Sequence, residues 1–316
     1  MKNFAITGVA GYIAPRHLKA ISETNNRLVA ALDPHDSVGI LDKYTYDVAF
    51  FTEFERFDRY LDKLRREKSD LKIDYLSICS PNYLHDAHIR LAFRIGADAI
   101  CEKPLVLKPS NLDVIKQLEI EYGRKVYNIL QLRVHPKLIE LKNRYSNNNN
   151  NNKYDVVLTY ITSRGQWYYY SWKGDEKKSG GLITNIGIHF FDLLMWIFGE
   201  TLSNQIYLRE INKASGYMEL KNANVRWYLS IDKNDLPKEI IKKNQSTFRS
   251  IKIDDEEIEF TEGFTDLHTE VYKNILIENG FGIEEARPSI ETVYNLRHID
   301  LSNKVEYPHP YLINNK

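Results

Sequence analysis

Apolar, strand-like segments separated by amphipathic helices, repeated through the first 130 residues, constrain this chain most. Residues 4–7 read as a strand and 13–24 as a helix with Leu18 and Ile21 inward. Strand-like runs follow at 28–32, 75–78, 97–101 and 126–129, with helices at 54–66, 85–94 and 111–122 between them. Strands that are apolar on both faces and joined by helices of this length build a parallel sheet covered on both sides. Beyond six consecutive asparagines at 147–152, expected to form a solvated, dispensable loop, the pattern changes. A strand at 156–161 and a glycine turn running into an amphipathic helix at 188–197 precede strands at 205–209, 216–220, 224–231 and 248–253. Consecutive strands with few helices between them predict a mainly antiparallel sheet. The expected fold is therefore α/β: a dinucleotide-binding domain over 1–130 and an α+β domain with an open sheet over 131–316. Helices at 266–278 and, starting from Pro288, at 289–301 are candidates to return to the first domain.

Lys+Arg and Asp+Glu both total 43 in the 316 residues, so no global charge attracts nucleic acid or an anionic membrane. Anionic ligands must be met by local cations. Cys79 and Cys101 each end a strand and read as buried, reduced thiols, which suits a cytoplasmic protein. Met1-Lys2-Asn3 leads directly into a strand without signal-peptide architecture, and no apolar run reads as membrane-spanning.

Between the first strand and helix stands Gly8-Val9-Ala10-Gly11-Tyr12-Ile13-Ala14. Gly8 and Gly11 permit a tight turn, Ala14 permits close helix packing, and the helix N-terminus at Tyr12 and Ile13 offers N–H groups to a pyrophosphate. The second strand ends at Asp33, placed to accept both ribose hydroxyls and to repel a 2′-phosphate, which favours NAD over NADP. Asp36 and Ser37 follow within reach of the ribose or adenine edge. Ser80-Pro81-Asn82-Tyr83-Leu84-His85 makes a turn into a helix, with Asn82 either a cofactor contact or an N-cap. Glu102-Lys103-Pro104 places an ammonium group at the carboxyl edge of the sheet, where such folds bind ligands.

Downstream, Gly180-Gly181 opens a run containing Thr184, Asn185, His189 and Asp192. Asn185 and His189 stand i, i+4 and would share a helix face. Histidine titrates near neutrality and suits a base; a lysine suits stabilisation of alkoxide charge, and the two roles are exchangeable. Asp192 either orients the imidazole or is structural.

These motifs resemble the glucose–fructose oxidoreductase/inositol dehydrogenase superfamily. Gly11-Tyr12-Ile13-Ala14-Pro15-Arg16-His17, Gln131-Leu132-Arg133, Ser163-Arg164-Gly165-Gln166-Trp167-Tyr168 and Ser171-Trp172-Lys173-Gly174 are similar to its UDP-N-acetylglucosaminuronic acid 3-dehydrogenase branch. The resemblance implies a Rossmann domain binding NAD, an open-sheet second domain, homotetramers, and oxidation of the 3-hydroxyl of a UDP-sugar toward surface polysaccharide. It implies that Lys103 and His189 are catalytic, that His85, Glu102 and Gln131 join the cofactor set, and that no metal takes part. For substrate it implies Lys103, Arg133, Arg164, Trp167, Tyr168, Trp172, Lys173, Thr184, Asn185 and His189, the aromatics serving equally well as an interface. Asn185 stands where many members have Asp, which puts more of the proton transfer on His189. The rival readings are another sugar or polyol dehydrogenase and a non-catalytic NAD sensor.

Overall fold

The computed structural model describes residues 1–146, 152–259 and 266–314; apart from Asn152, the asparagine run lies outside the described residues. The chain forms two compact units, Met1–Val134 with Asp266–Arg287, and His135–Thr265 with Pro288–Lys316.

The first unit is built on β1 (Asn3–Thr7), β2 (Arg27–Leu32), β3 (Ala49–Phe51), β4 (Tyr75–Ile78), β5 (Asp98–Cys101) and β6 (Val126–Asn128), interleaved with α1 (Ala14–Glu23), α2 (Phe54–Arg66), α3 (His85–Arg94) and α4 (Pro109–Tyr122). The strands form one parallel sheet in the order β3-β2-β1-β4-β5-β6. Chain direction across the sheet reverses between β1 and β4, so the ligand crevice of such a sheet opens at their carboxyl ends. Helix α2 buries Phe57, Leu61 and Leu64, one stripe at helical spacing. Strand β3 was missed in the sequence: its apolar residues Ala49-Phe50-Phe51 are only three long and half-buried.

The second unit contains α5 (Pro136–Tyr145), β7 (Tyr154–Thr162), α6 (Trp167–Tyr170), α7 (Glu176–Ser179), α8 (Ile188–Phe198), β8 (Thr201–Arg209), β9 (Lys213–Leu220), β10 (Ala223–Ser230), α9 (Lys238–Lys242), β11 (Thr247–Ile253) and β12 (Glu256–Glu259). Its sheet runs β12-β11-β7-β10-β9-β8. Only the β10–β7 pair is parallel, so the sheet is mainly antiparallel. Three late helices follow: α10 (Leu267–Leu276), α11 (Ile283–His298) and α12 (Pro310–Asn314).

The compact units lie close to the 1–130/131–316 division, with a late segment returning to the first. The first unit keeps the chain to Val134 and regains Asp266–Arg287. The cause is packing: Val271, Tyr272 and Ile275 of α10 join the core of Phe4, Ile6, Tyr75 and Tyr127, each such side chain contributing about 1.5–3 kcal/mol. The Asn128 N–H then donates to the Phe281 carbonyl, extending the β6 edge. Helix α11 does not start at Pro288 but five residues earlier, where the Glu285 carboxylate accepts from the Gly282 N–H. The part beyond Pro288 belongs to the second unit, where Arg209 donates to the carbonyls of Leu296, Arg297 and Ile299.

One stretch, Glu176–Phe198, is long and apolar enough to cross a membrane, contrary to the sequence reading. Most of it is buried inside the second unit, as in a core helix.

Candidate active site

The turn between β1 and α1 is shaped by Gly8. Its φ is +77°, and a Cβ there would stand 2.5 Å from the Cys79 carbonyl oxygen at the end of β4. Only glycine fits both the backbone and the space. Pro15 starts α1, which has no side-chain cap, and among the described residues no acceptor takes the Tyr12 and Ile13 N–H groups. Two free donors at the positive end of a helix form an anion cradle. Asp33, buried at the end of β2, accepts the Ala10 N–H on Oδ2 and the His35 N–H on Oδ1, both at 2.9 Å. Each carboxylate oxygen keeps a lone pair for a ribose hydroxyl. The cradle and the acid together fit NAD. Asp36 and Ser37 lie exposed on the loop beyond.

At the ends of β4 and β5 the structure revises two assignments. His85 is fully buried, its Nδ1 against the Pro104 carbonyl at 2.7 Å and its Nε2 against the Ser80 carbonyl at 2.9 Å. It braces two turns from beneath and is not placed to line a cofactor. Ser80 Oγ bonds His88 Nδ1 at 2.9 Å, and Asn82 is buried in the same turn. Glu102 is turned inward as well: its Oε1 meets His17 Nε2 at 2.9 Å and His268 Nε2 at 3.0 Å. Burial opposes its ionisation, but those bonds and charges outweigh it and hold the carboxyl well below its usual range. Lys103 follows, half-buried, beyond the strand end. Gln131 keeps its buried Oε1 without a hydrogen-bond partner among the described residues. Arg133 is drawn onto the returning segment, donating to the Glu285 carbonyl at 3.0 Å with its guanidinium over the Phe281 ring. Those contacts, rather than a free substrate cation, account for its placement.

In the second unit, Gly180 and Gly181 take φ values of +82° and +71° and turn the chain out of α7. Residues Ile183–Gly187 then form a π-helical turn before α8, a feature frequent at functional sites. The wider turn changes the i, i+4 geometry assumed for Asn185 and His189. Nor is α8 amphipathic: of its eleven residues only His189 and Trp196 are not buried. Asn185 Nδ2 donates to the buried Tyr168 hydroxyl at 3.0 Å, so Tyr168 supports Asn185 rather than walling a sugar with an open face. Thr184 Oγ1 is buried without a partner among the described residues. Asp192 is buried on α8. Trp167 is 56% exposed, and Lys173 Nζ lies 4.4 Å from the Trp172 ring centroid. Burial, then the nearby Arg164 charge, pushes the Lys173 ammonium below its ordinary pKa. Neither Arg164 nor Lys173 has an acidic partner among the described residues. Two cations held together without a counter-charge make a site for an anion.

The sequence reading had assigned no role to His17 and had not singled out His268 or Tyr272. The available signal was a histidine on the buried face of each helix.

A parallel sheet with a glycine–helix anion cradle and a ribose-facing acid, joined in the chain to a mixed-sheet unit, defines an NAD-binding oxidoreductase. Residues 2–129 match the NAD-binding Rossmann fold of the oxidoreductase family, and residues 152–257 its C-terminal alpha/beta domain. The chain belongs to this family. It is 52% identical to the WlbA (WbpB) dehydrogenase from Thermus thermophilus, covering 99% of this chain and 100% of that one, with a TM-score of 0.94. That protein has been solved with NAD and UDP-GlcNAcA, and with NAD and alpha-ketoglutarate. The WlbA dehydrogenase from Bordetella pertussis, 18% identical with a TM-score of 0.76 over 96% of this chain and all of that one, shares the fold. D-glucoside 3-dehydrogenase of Escherichia coli is 26% identical over 133 residues, 41% of this chain and 37% of that protein. Glucose-6-phosphate 3-dehydrogenase of Bacillus subtilis is 23% identical over 207 residues, 63% and 54%. The matches thus span about a third to a half of those curated relatives.

Proposed function

We propose that this protein oxidises the 3-hydroxyl of UDP-N-acetylglucosaminuronic acid to the 3-keto sugar, using NAD, as a step toward 2,3-diamino uronates of surface polysaccharide. The observation that carries this reading is the uncompensated pair Arg164 and Lys173, suited to a substrate bearing a diphosphate and a carboxylate. A neutral polyol would leave those charges without purpose. The NAD complex of the 52% identical relative with UDP-GlcNAcA supports the same choice.

Bound nicotinamide supplies the hydride acceptor. In this reading Lys103 and His189 act on the reacting hydroxyl, one taking its proton and the other stabilising negative charge on oxygen. Asn185, held by Tyr168, orients a sugar oxygen, and the orphan Thr184 hydroxyl donates to or accepts from the sugar. Gln131 Oε1 accepts from the cofactor's carboxamide. Ser80 and Asn82 line the cofactor by backbone and turn shape, and Trp167 and Trp172 bracket the nucleotide sugar. The substrate binds in a cytoplasmic homotetramer, and the two buried free thiols suit that compartment.

Mixing the purified protein with NAD and either UDP-GlcNAcA, UDP-N-acetylglucosamine or inositol tests the reading. NADH absorbance should rise with the uronate alone, and with inositol alone if the polyol rival holds. No NADH with any sugar, despite NAD binding, supports the sensor.

A further inference from the structure

We propose that Glu102, clamped between His17 and His268, is a positioning residue that holds Lys103 in place and sets the charge around it. The proposal rests on the reading of Lys103 as a catalytic group.

His17 is the fourth residue of α1, the helix whose first turn forms the anion cradle. His268 stands on α10, the segment returning from residue 266. Their Nε2 atoms meet on the same Glu102 oxygen at 2.9 and 3.0 Å. On its far side His17 Nδ1 meets the Tyr272 hydroxyl at 2.7 Å, and that hydroxyl meets Ser77 Oγ at 2.7 Å. With His17 neutral, as its burial favours, one proton arrangement satisfies this chain. Ser77 donates to Tyr272, Tyr272 to His17 Nδ1, and both histidines donate through Nε2 to the carboxylate. The His17 imidazole, its pKa lowered by burial, is then neutral beside the buried carboxylate.

A buried carboxylate is costly unless something uses it, and the sheet would close as well over an apolar residue. The use lies one residue on. The Glu102 N–H donates to the Ile78 carbonyl, so the β4–β5 ladder continues through this residue. Its Oε2 also accepts the Lys103 N–H at 3.3 Å. Holding the Glu102 carboxylate inward therefore also holds the backbone N–H of Lys103, from which the lysine side chain departs. The other groups packed around the carboxylate are thiols, a phenol and imidazoles, with the Arg16 and Lys103 charges nearby. Cys79 and Cys101 are neutral thiols pushed well up by burial, and Tyr272 is likewise pushed up. Burial lowers the pKa of His17 and of His85, with His268 and then Arg16 adding to that effect at His17. The three ligand atoms of His17, Glu102 and His268 lie within 4.8 Å of one another, a spacing a divalent cation also accepts.

The test compares Glu102→Gln, His268→Gln and Lys103→Met in full-length protein, by thermal unfolding, NAD titration and the pH profile of single-turnover NADH formation. Removing an anion beside a lysine lowers the lysine's pKa, whichever protonation state works. In Glu102→Gln the lysine-dependent limb should therefore move to lower pH by about one unit, with turnover down about tenfold or more. His268→Gln keeps the carboxylate but removes one of its two histidine partners, and should lower turnover about tenfold with KM little changed. A folded Glu102→Gln with the wild-type profile overturns the proposal, as does wild-type turnover in His268→Gln should Glu102→Gln fail to fold. Wild-type turnover in Lys103→Met overturns the functional reading itself. Stoichiometric zinc in the purified protein, whose removal by chelator abolishes activity, overturns the proposal in favour of a metal centre.

Discussion

Asp33 Oδ2 accepts the backbone N–H of Ala10 at 2.9 Å, so the acid that closes β2 also fastens the glycine turn after β1. In the proposed NAD complex the same carboxylate would select the ribose while shaping the pyrophosphate cradle. Asp33→Ser should weaken NAD binding by about 1.5–3 kcal/mol and narrow the preference over NADP. Calorimetric titration with both cofactors checks this, and equal wild-type affinities would remove the ribose assignment.

Gly8→Ala should destabilise the first unit by about 2–4 kcal/mol, because a Cβ at φ +77° meets the Cys79 carbonyl at 2.5 Å. Urea unfolding measures the loss. A variant as stable as the wild type would mean that the turn relaxes.

Arg164→Ala should impair the uronate far more than UDP-N-acetylglucosamine if Arg164 meets the sugar carboxylate. Lys173, already depressed by burial and by Arg164, loses its charge at a lower pH than an ordinary lysine. Affinity for the UDP-sugar should therefore fall on the alkaline side, and Arg164→Ala should shift that fall upward in pH. Equal losses for both sugars would assign Arg164 to the diphosphate or to structure.

Lys103→Met and His189→Asn should each lower turnover by about 10²–10⁴-fold while leaving NAD binding intact. The double variant should be less impaired than the product of the single losses, since groups acting as a unit are not additive. Near wild-type turnover in His189→Asn would make it a core residue.

Acid should destabilise the protein before its carboxylates titrate. Burial lowers His88 to about 4 and His309 to about 3, against 6.5 unfolded. The unfolded chain then takes up protons that the folded one refuses, so stability is full above about pH 6.5 and falls toward pH 4. His309 accepts from the Tyr311 N–H at Nδ1, which leaves Nε2–H for Thr159 Oγ1 and fits the neutral ring. His309→Gln should flatten the decline in melting temperature across that range; an unchanged slope would show that other groups carry it.

The elements read from the sequence were those whose signal is local. Short continuous apolar runs, a helical stripe such as Phe57-Leu61-Leu64, and a glycine turn between strand and helix depend on neighbours in the chain. The glycine turn at Gly8 and the place of Asp33 at the end of β2 were legible for the same reason, since each lies in its own turn. His85 was misread because a polar residue at a turn looks the same whether it faces a ligand or braces two carbonyls. The helical spacing assumed for Asn185 and His189 differed because nothing in Ile183-Thr184-Asn185-Ile186-Gly187 announces a π turn. The Glu102 clamp was invisible: its histidines stand 85 and 166 residues away, and separate helices must first dock on one sheet. Local patterns choose strands, helices and turns because adjacent residues determine backbone preference and face. Which buried polar groups meet is decided only by tertiary packing, because desolvation forces each one to find its partner wherever the fold has brought one.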